Sequence, residues 1–122
     1  MEKFIIKGGV PLSGEVTPSG NKNAALPLVA ACLLTDEPVT LYNVPDILDV
    51  QAMRALLESL SIQVETIDRH TWRITATEVC PADLDPDLCR RIRASILLAG
   101  PMVARSGELH LPPPGGDVIG RR

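Results

Sequence analysis

The chain has 122 residues, 45% of them hydrophobic, with 12 Lys and Arg against 15 Asp and Glu for a formal net charge of −3. That length makes one domain or a piece of a larger one. One Trp, one Tyr and one Phe leave an aliphatic core, without the basic footprint or stacking surface of a nucleic-acid binder. The opening MEKFIIKGGV has only three consecutive apolar residues after Lys3, too few for a signal peptide or a membrane span, so a cytoplasmic protein with no membrane partner is expected. Cys32, Cys80 and Cys89 are odd in number and lack the close Cys/His pairing of a zinc site, which predicts reduced structural thiols and no bound metal.

In chain order, KFIIKG (residues 3–8) reads as a short strand and LSGEVTPSGN (12–21) as a second, brief strand running into a turn. A helix follows, with Asn21 as N-cap, Pro27 in its first turns, and a run from Ala24 to Leu34 that is apolar on every side. VTLYNV (39–44) is a strand. PDILDVQAMRALLESLSI (45–62) is an amphipathic helix capped by Asp46, with Gln51, Arg54, Glu58 and Ser61 on one stripe and Val50, Met53, Leu56, Leu57 and Leu60 largely opposite. IQVETID (62–68) and TWRITA (71–76) alternate as strands, and DRH between them predicts a tight hairpin. DPDLCRRIRASILLAGPMVARSG (85–107) reads as one long helix, with Pro86 near its start, Gly107 past its end and a kink at Gly100-Pro101. ELHL (108–111) is a final strand.

Two helices that are apolar all round imply an α/β fold with helices at the centre and sheets outside. About six short strands cannot cover both helices, so the chain is expected to be an incomplete unit.

Chemistry can reside in three places. Ser19-Gly20-Asn21-Lys22-Asn23 opens the first apolar helix, where free N–H groups and the helix dipole suit a phosphate or carboxylate and Lys22 adds a full charge. Ordinary capping with a solvated lysine is the alternative. Arg90-Arg91-Ile92-Arg93 precedes the second apolar run, and Arg93 at that boundary suits bidentate contact with phosphate. The alternative there is a solvated basic face or an ion pair with Asp85 or Asp87. In the closing LPPPGGDVIGRR, Gly115-Gly116 offers freedom for a hinge or lid, Asp117 a general acid or base, and Arg121 and Arg122 an anion grip. The alternative is a turn in which Asp117 bonds its own backbone.

GNKNAALP, RRIRASILLAGPMVAR and LPPPGGDVIGRR, in this order, with FIIKGGVPLSGEV and NVPDILDV, closely resemble the enolpyruvyl transferase family, in particular its bacterial UDP-N-acetylglucosamine 1-carboxyvinyltransferases. The resemblance spans essentially the whole chain. It implies part of an inside-out α/β barrel, with residues 1–20 as strands belonging to the second domain of a longer enzyme and 21–122 as a partial first, catalytic domain. It implies transfer of the enolpyruvyl group from phosphoenolpyruvate to the 3-hydroxyl of UDP-N-acetylglucosamine, the first committed step of peptidoglycan synthesis, with no cofactor. Lys22 and Asn23 correspond to the phosphoenolpyruvate site, Arg93 and Arg122 to the nucleotide-sugar site, and Asp117 to the catalytic acid. The remainder of the enzyme's own chain is the implied partner, and the 122 residues alone are expected to be inactive. The alternatives are a 5-enolpyruvylshikimate-3-phosphate synthase-like transferase, whose first lysine motif differs from NKNAALP, and a non-catalytic nucleotide-sugar-binding fragment.

Many members of the family carry cysteine where this chain has Asp117, and a thiolate is what forms a stable adduct with fosfomycin, so the resemblance implies fosfomycin resistance. To donate a proton near neutral pH, Asp117 must be raised by roughly three units from an ordinary value of about 3.9. Burial on loop closure and the negative charge of bound substrate push in that direction, against the neighbouring arginines.

Overall fold

A computed structural model describes residues 2–79 and 84–116. The order of elements is α1 (Lys22–Ala31) with a 3-10 turn (Cys32–Leu34), β1 (Val39–Leu41), α2 (Leu48–Ser59), β2 (Gln63–Asp68), β3 (Thr71–Thr75), α3 (Pro86–Arg91), a 3-10 helix (Arg93–Leu98) and α4 (Ala99–Ser106).

The three strands form one antiparallel sheet in the order β1-β3-β2. The two residues between β2 and β3 close the expected hairpin, with Asp68 opposite Thr71 and an irregularity between Thr66 and Asp68. Strand β1 pairs along the other edge of β3, Val39 facing Ile74 and Leu41 facing Trp72. On the central strand Trp72 and Ile74 are buried while Arg73 between them is exposed, and only Thr71 at the hairpin end departs from the alternation by being buried as well. Trp72 and Ile74 meet the buried face of α2, made by Val50, Met53, Leu56 and Leu57. The guanidinium of Arg54 lies 5.6 Å from the centre of the Trp72 ring. It also donates to Glu58, to the Thr66 hydroxyl and to the Val64 carbonyl, so this polar-stripe arginine ties α2 to the hairpin.

The hairpin turn is fastened to the segment before α2. Val44 N–H donates to the His70 carbonyl at 2.8 Å, and His70 Nδ1 donates back to the Val44 carbonyl at 2.9 Å. Asp46 was expected to cap α2; instead Ile47 occupies the cap position without a side-chain bond. The Asp46 carboxylate is taken by Arg69 Nε and Gln51 Nε2, each at 3.0 Å, which holds it below the usual carboxylate range, Arg69 contributing most.

The helix expected over 85–107 exists in three pieces. Asp85 caps α3, accepting from the N–H groups of Asp87 and Leu88, with Pro86 in the first turn. The break falls at Ile92, which is extended (φ −136°, ψ 139°), and not at Gly100-Pro101. Pro101 sits in the first turn of α4, where its missing N–H has no partner to lose. Around the break the buried Ser95 hydroxyl donates to the carbonyls of Ile92 and Cys89. Gly107 ends α4 in the left-handed region (φ 83°). Arg105 bonds the carbonyls of Leu33, Ala76 and Thr77, clamping α4 to the end of α1 and the end of the hairpin.

Two other expectations fail. Residues 2–20 contain no strand, and Phe4 and Ile6 stand 93% and 90% exposed; no described segment lies alongside to pair with them. ELHL gives only an isolated bridge at His110. The apolar helices are covered on one side only: Leu28, Leu34, Ile96 and Val103 remain about half exposed or more.

Candidate functional site

The site begins with a backbone constraint. A Cβ on Gly20 would fall 1.8 Å from the Asn43 carbonyl oxygen and 2.9 Å from Pro45 Cδ, so only glycine lets the chain pass the β1–α2 connection there. Asn21 then caps α1, its Oδ1 accepting from Ala24 N–H at 3.1 Å. Lys22 and Asn23 are thereby fixed in the first exposed turn of α1, at the positive end of the helix. Across from them, Asp49 occupies the first turn of α2, and Lys22 Nζ lies 2.9 Å from Asp49 Oδ2.

Arg93 arrives from a different direction. The extended Ile92 separates it from α3, so the three arginines of RRIR diverge. Arg90 pairs with Asp87 at 3.0 Å on the exposed face, which is the ion pair foreseen as the alternative. Arg91 lines a neighbouring depression with Asp49 and Ala55. Arg93 lines the same cleft as Lys22, Asn23 and Asp49, a space of about 410 Å³ whose apolar side includes Leu26 and Ile92. Two cations and one amide from helix starts remote in sequence thus face one cavity beside a single carboxylate. Such a cavity suits an anion carrying a polar group.

The glycines of the closing segment have another task than the hinge expected of them. Gly115 N–H donates to the Cys89 carbonyl at 2.9 Å, and a Cβ on Gly115 would fall 1.6 Å from the Arg90 carbonyl oxygen. Gly116 has φ +107°, and its Cβ would sit 2.9 Å from Arg93 Cβ. The pair is wedged against the end of α3 and ends beside a cleft-lining arginine. Asp117 and Arg122 lie outside the described residues, as does Cys80.

Cys32 and Cys89 are buried. Burial pushes the Cys32 thiol up to about 11 and raises Cys89 as well, so both stay protonated at neutral pH and pack as small hydrophobes. Among the described residues no group of three or more metal-ligating side chains gathers, and no helix is long and apolar enough to cross a membrane. The residue that sequence reasoning missed is Asp49. Its charge was visible in ILDV, but nothing in a spacing of 27 residues marks it as the partner of Lys22.

The profile of the family described as EPSP synthase (3-phosphoshikimate 1-carboxyvinyltransferase) matches residues 6–122. A UDP-N-acetylglucosamine 1-carboxyvinyltransferase of Bradyrhizobium diazoefficiens is 58% identical over 120 residues, covering 98% of this chain and 28% of that enzyme. One from Treponema denticola is 48% identical over 122 residues, covering 100% of this chain and 29% of that enzyme. The chain therefore spans somewhat over a quarter of the length of these relatives. Among solved structures, the enolpyruvyl transferase NikO from Streptomyces tendae superposes with a TM-score of 0.70 at 31% identity, over 82% of this chain and 23% of that one. The α/β architecture expected from the sequence agrees with that neighbour.

Proposed function

Because this chain belongs to the EPSP synthase family, we propose that it supplies one wall of an enolpyruvyl transferase site that works on phosphoenolpyruvate and UDP-N-acetylglucosamine. The observation that carries this reading is the single cleft of about 410 Å³ to which Lys22, Asn23 and Arg93 all contribute. The acceptor sugar is assigned through the relatives, 58% and 48% identical, that bear the nucleotide-sugar name.

In the reaction a proton is added to the methylene carbon of phosphoenolpyruvate while the sugar 3-hydroxyl attacks the adjacent carbon and loses its own proton. The tetrahedral adduct then expels inorganic phosphate and returns a proton from the methyl group, leaving an enolpyruvyl ether. Lys22 holds the phosphate, where its ammonium and the N-terminus of α1 stabilise charge that persists from substrate to leaving group. Asn23 serves as donor and acceptor between the phosphate and the sugar. Arg93 and Arg122 hold the nucleotide-sugar, and Asp117 delivers the proton. Residues 1–20 belong with the second domain of the longer, cytoplasmic enzyme, and the 122 residues by themselves do not turn over, since the site closes between two domains.

The test is a chimera in which these 122 residues replace the matching segment of the Bradyrhizobium diazoefficiens enzyme, assayed for phosphate release. Turnover is expected with UDP-N-acetylglucosamine and not with shikimate 3-phosphate. Lys22→Ala and Arg93→Ala should each lower kcat/KM by about a hundredfold or more. The chimera should resist fosfomycin until Asp117→Cys restores sensitivity. A chimera that folds but is silent, or that prefers shikimate 3-phosphate, overturns the assignment.

A further inference from the structure

A carboxylate is an odd neighbour for an anion. The cleft that gathers Lys22 and Arg93 is also lined by Asp49, whose charge at that distance repels any phosphate or carboxylate entering beside it. By simple summation of charge, the cleft would bind anions better without Asp49. Its geometry gives it a different part. Asp49 Oδ2 lies 2.9 Å from Lys22 Nζ, and both side chains are nearly half exposed, Asp49 at 41% and Lys22 at 48%.

A lysine is a point charge on a stem of four rotatable carbons, and it loses rotamer freedom when held in one place. At the first position of α1, Lys22 also meets the positive end of its own helix, which discourages the ammonium from staying there. Asp49 has the opposite situation: it sits in the first turn of α2, where the dipole favours a carboxylate and the helix fixes its backbone. The rigid partner can therefore hold the mobile one. Asp49 also lines two neighbouring depressions, one with Leu48, Gln51 and Arg91 and one with Lys22, Asp46 and Ile47, so the paired lysine and carboxylate stand together where the cleft meets a second opening.

We propose that Asp49 is a positioning residue: it anchors the Lys22 ammonium at the mouth of the cleft so that an incoming phosphate meets a lysine already in place. The proposal rests on the reading of Lys22 as an anion ligand. It makes a prediction opposite in sign to charge summation. If Asp49 merely adds negative charge, Asp49→Asn strengthens anion binding; if it positions Lys22, Asp49→Asn weakens it.

The experiment measures binding of inorganic phosphate and of phosphoenolpyruvate to the chimera by calorimetry, for the native sequence, Asp49→Asn, Asp49→Glu, Lys22→Ala and the Asp49→Asn/Lys22→Ala pair, with melting curves recorded alongside. Asp49→Asn should weaken both ligands by about fivefold, the scale of one partly exposed charged contact. Asp49→Glu should recover part of the loss. In the Lys22→Ala background Asp49→Asn should weaken nothing further, because the group it positions is gone. A purely structural role would weaken binding in both backgrounds and lower the melting temperature. Tighter binding in Asp49→Asn, or equal losses with and without Lys22, overturns the proposal while the enolpyruvyl transfer assignment stands on turnover. If instead the chimera is silent yet the binding pattern holds, the assignment falls and the role of Asp49 stands.

Discussion

Two stretches of this chain carry the strand pattern of alternating and β-branched apolar residues, and they fare differently. The hairpin of β2 and β3 buries Trp72 and Ile74 against α2. The stretch 2–20, with Phe4, Ile5, Ile6, Val10, Leu12 and Val16, leaves all six largely exposed. Local propensity is similar in the two. What differs is a partner: β3 has β2 two residues away and β1 on its other edge, while no described strand lies beside residues 2–20. A strand makes none of its ladder hydrogen bonds within itself, so the pattern is a statement about potential, and pairing decides.

The strongest way to break this contrast is Trp72→Ala. Trp72 is 2% exposed, lies on the central strand and carries Arg54 over its ring, so truncation leaves a large cavity between sheet and α2. A loss of about 3–5 kcal/mol is expected, comparable to the whole stability of a small domain. Urea unfolding followed by far-ultraviolet circular dichroism is the measurement, since the only tryptophan is removed. A loss below about 1 kcal/mol would mean the hairpin does not depend on the core it covers.

The same difference explains what could be read from the sequence. Helix α2 and the hairpin were legible because their signals are local: a 3.6-residue stripe and a two-residue turn. Asn21 and Gly107 were legible as caps for the same reason. The break at Ile92 was not, because no proline or glycine marks it; it is set by the buried Ser95 hydroxyl and by the Gly115 N–H reaching the Cys89 carbonyl from 26 residues downstream. Yet that break directs Arg93 to the cleft and Arg90 away from it. Lys22, Asn23 and Arg93 could be selected through resemblance to a family, but their common cleft and the presence of Asp49 in it depend on how α1, α2 and the 3-10 helix pack, which no window of sequence contains. The cap assigned to Asp46 failed through competition, since Arg69 and Gln51 offer it better partners than the start of α2.

That competition yields the next prediction. Asp46 is held below its ordinary value of 3.8, chiefly by the Arg69 hydrogen bond and then by Gln51. Asp68 is held below 3.8 chiefly by the backbone N–H of His70 and then by Thr71. Both groups bind protons more weakly folded than unfolded. Their contribution to stability is therefore complete above the unfolded value and is lost as pH falls through the folded one. The urea midpoint should decline on acidification from about pH 6 to pH 3, and Asp46→Asn should remove part of that slope and lower the plateau slightly. A slope unchanged in Asp46→Asn would detach the hairpin turn from the segment before α2.

The smallest effect belongs to the unpaired stretch, and it is the sharpest test of the contrast. Ile6 is already 90% exposed, so Ile6→Ser removes apolar surface that is wet in the folded and unfolded chain alike. Its effect on the unfolding free energy of the 122-residue protein, read from urea titration, should stay within about 0.5 kcal/mol. In the chimera, where longer chain surrounds the same residues, the substitution acquires a meaning it lacks in isolation. If residues 1–20 pair with the second domain there, Ile6→Ser should cost about 1–3 kcal/mol, the burden of placing a hydroxyl at a buried apolar position. The difference between the two backgrounds, not either value alone, measures whether a strand pattern has found its partner. A cost above about 1 kcal/mol in the 122-residue protein itself would show that the stretch packs without one.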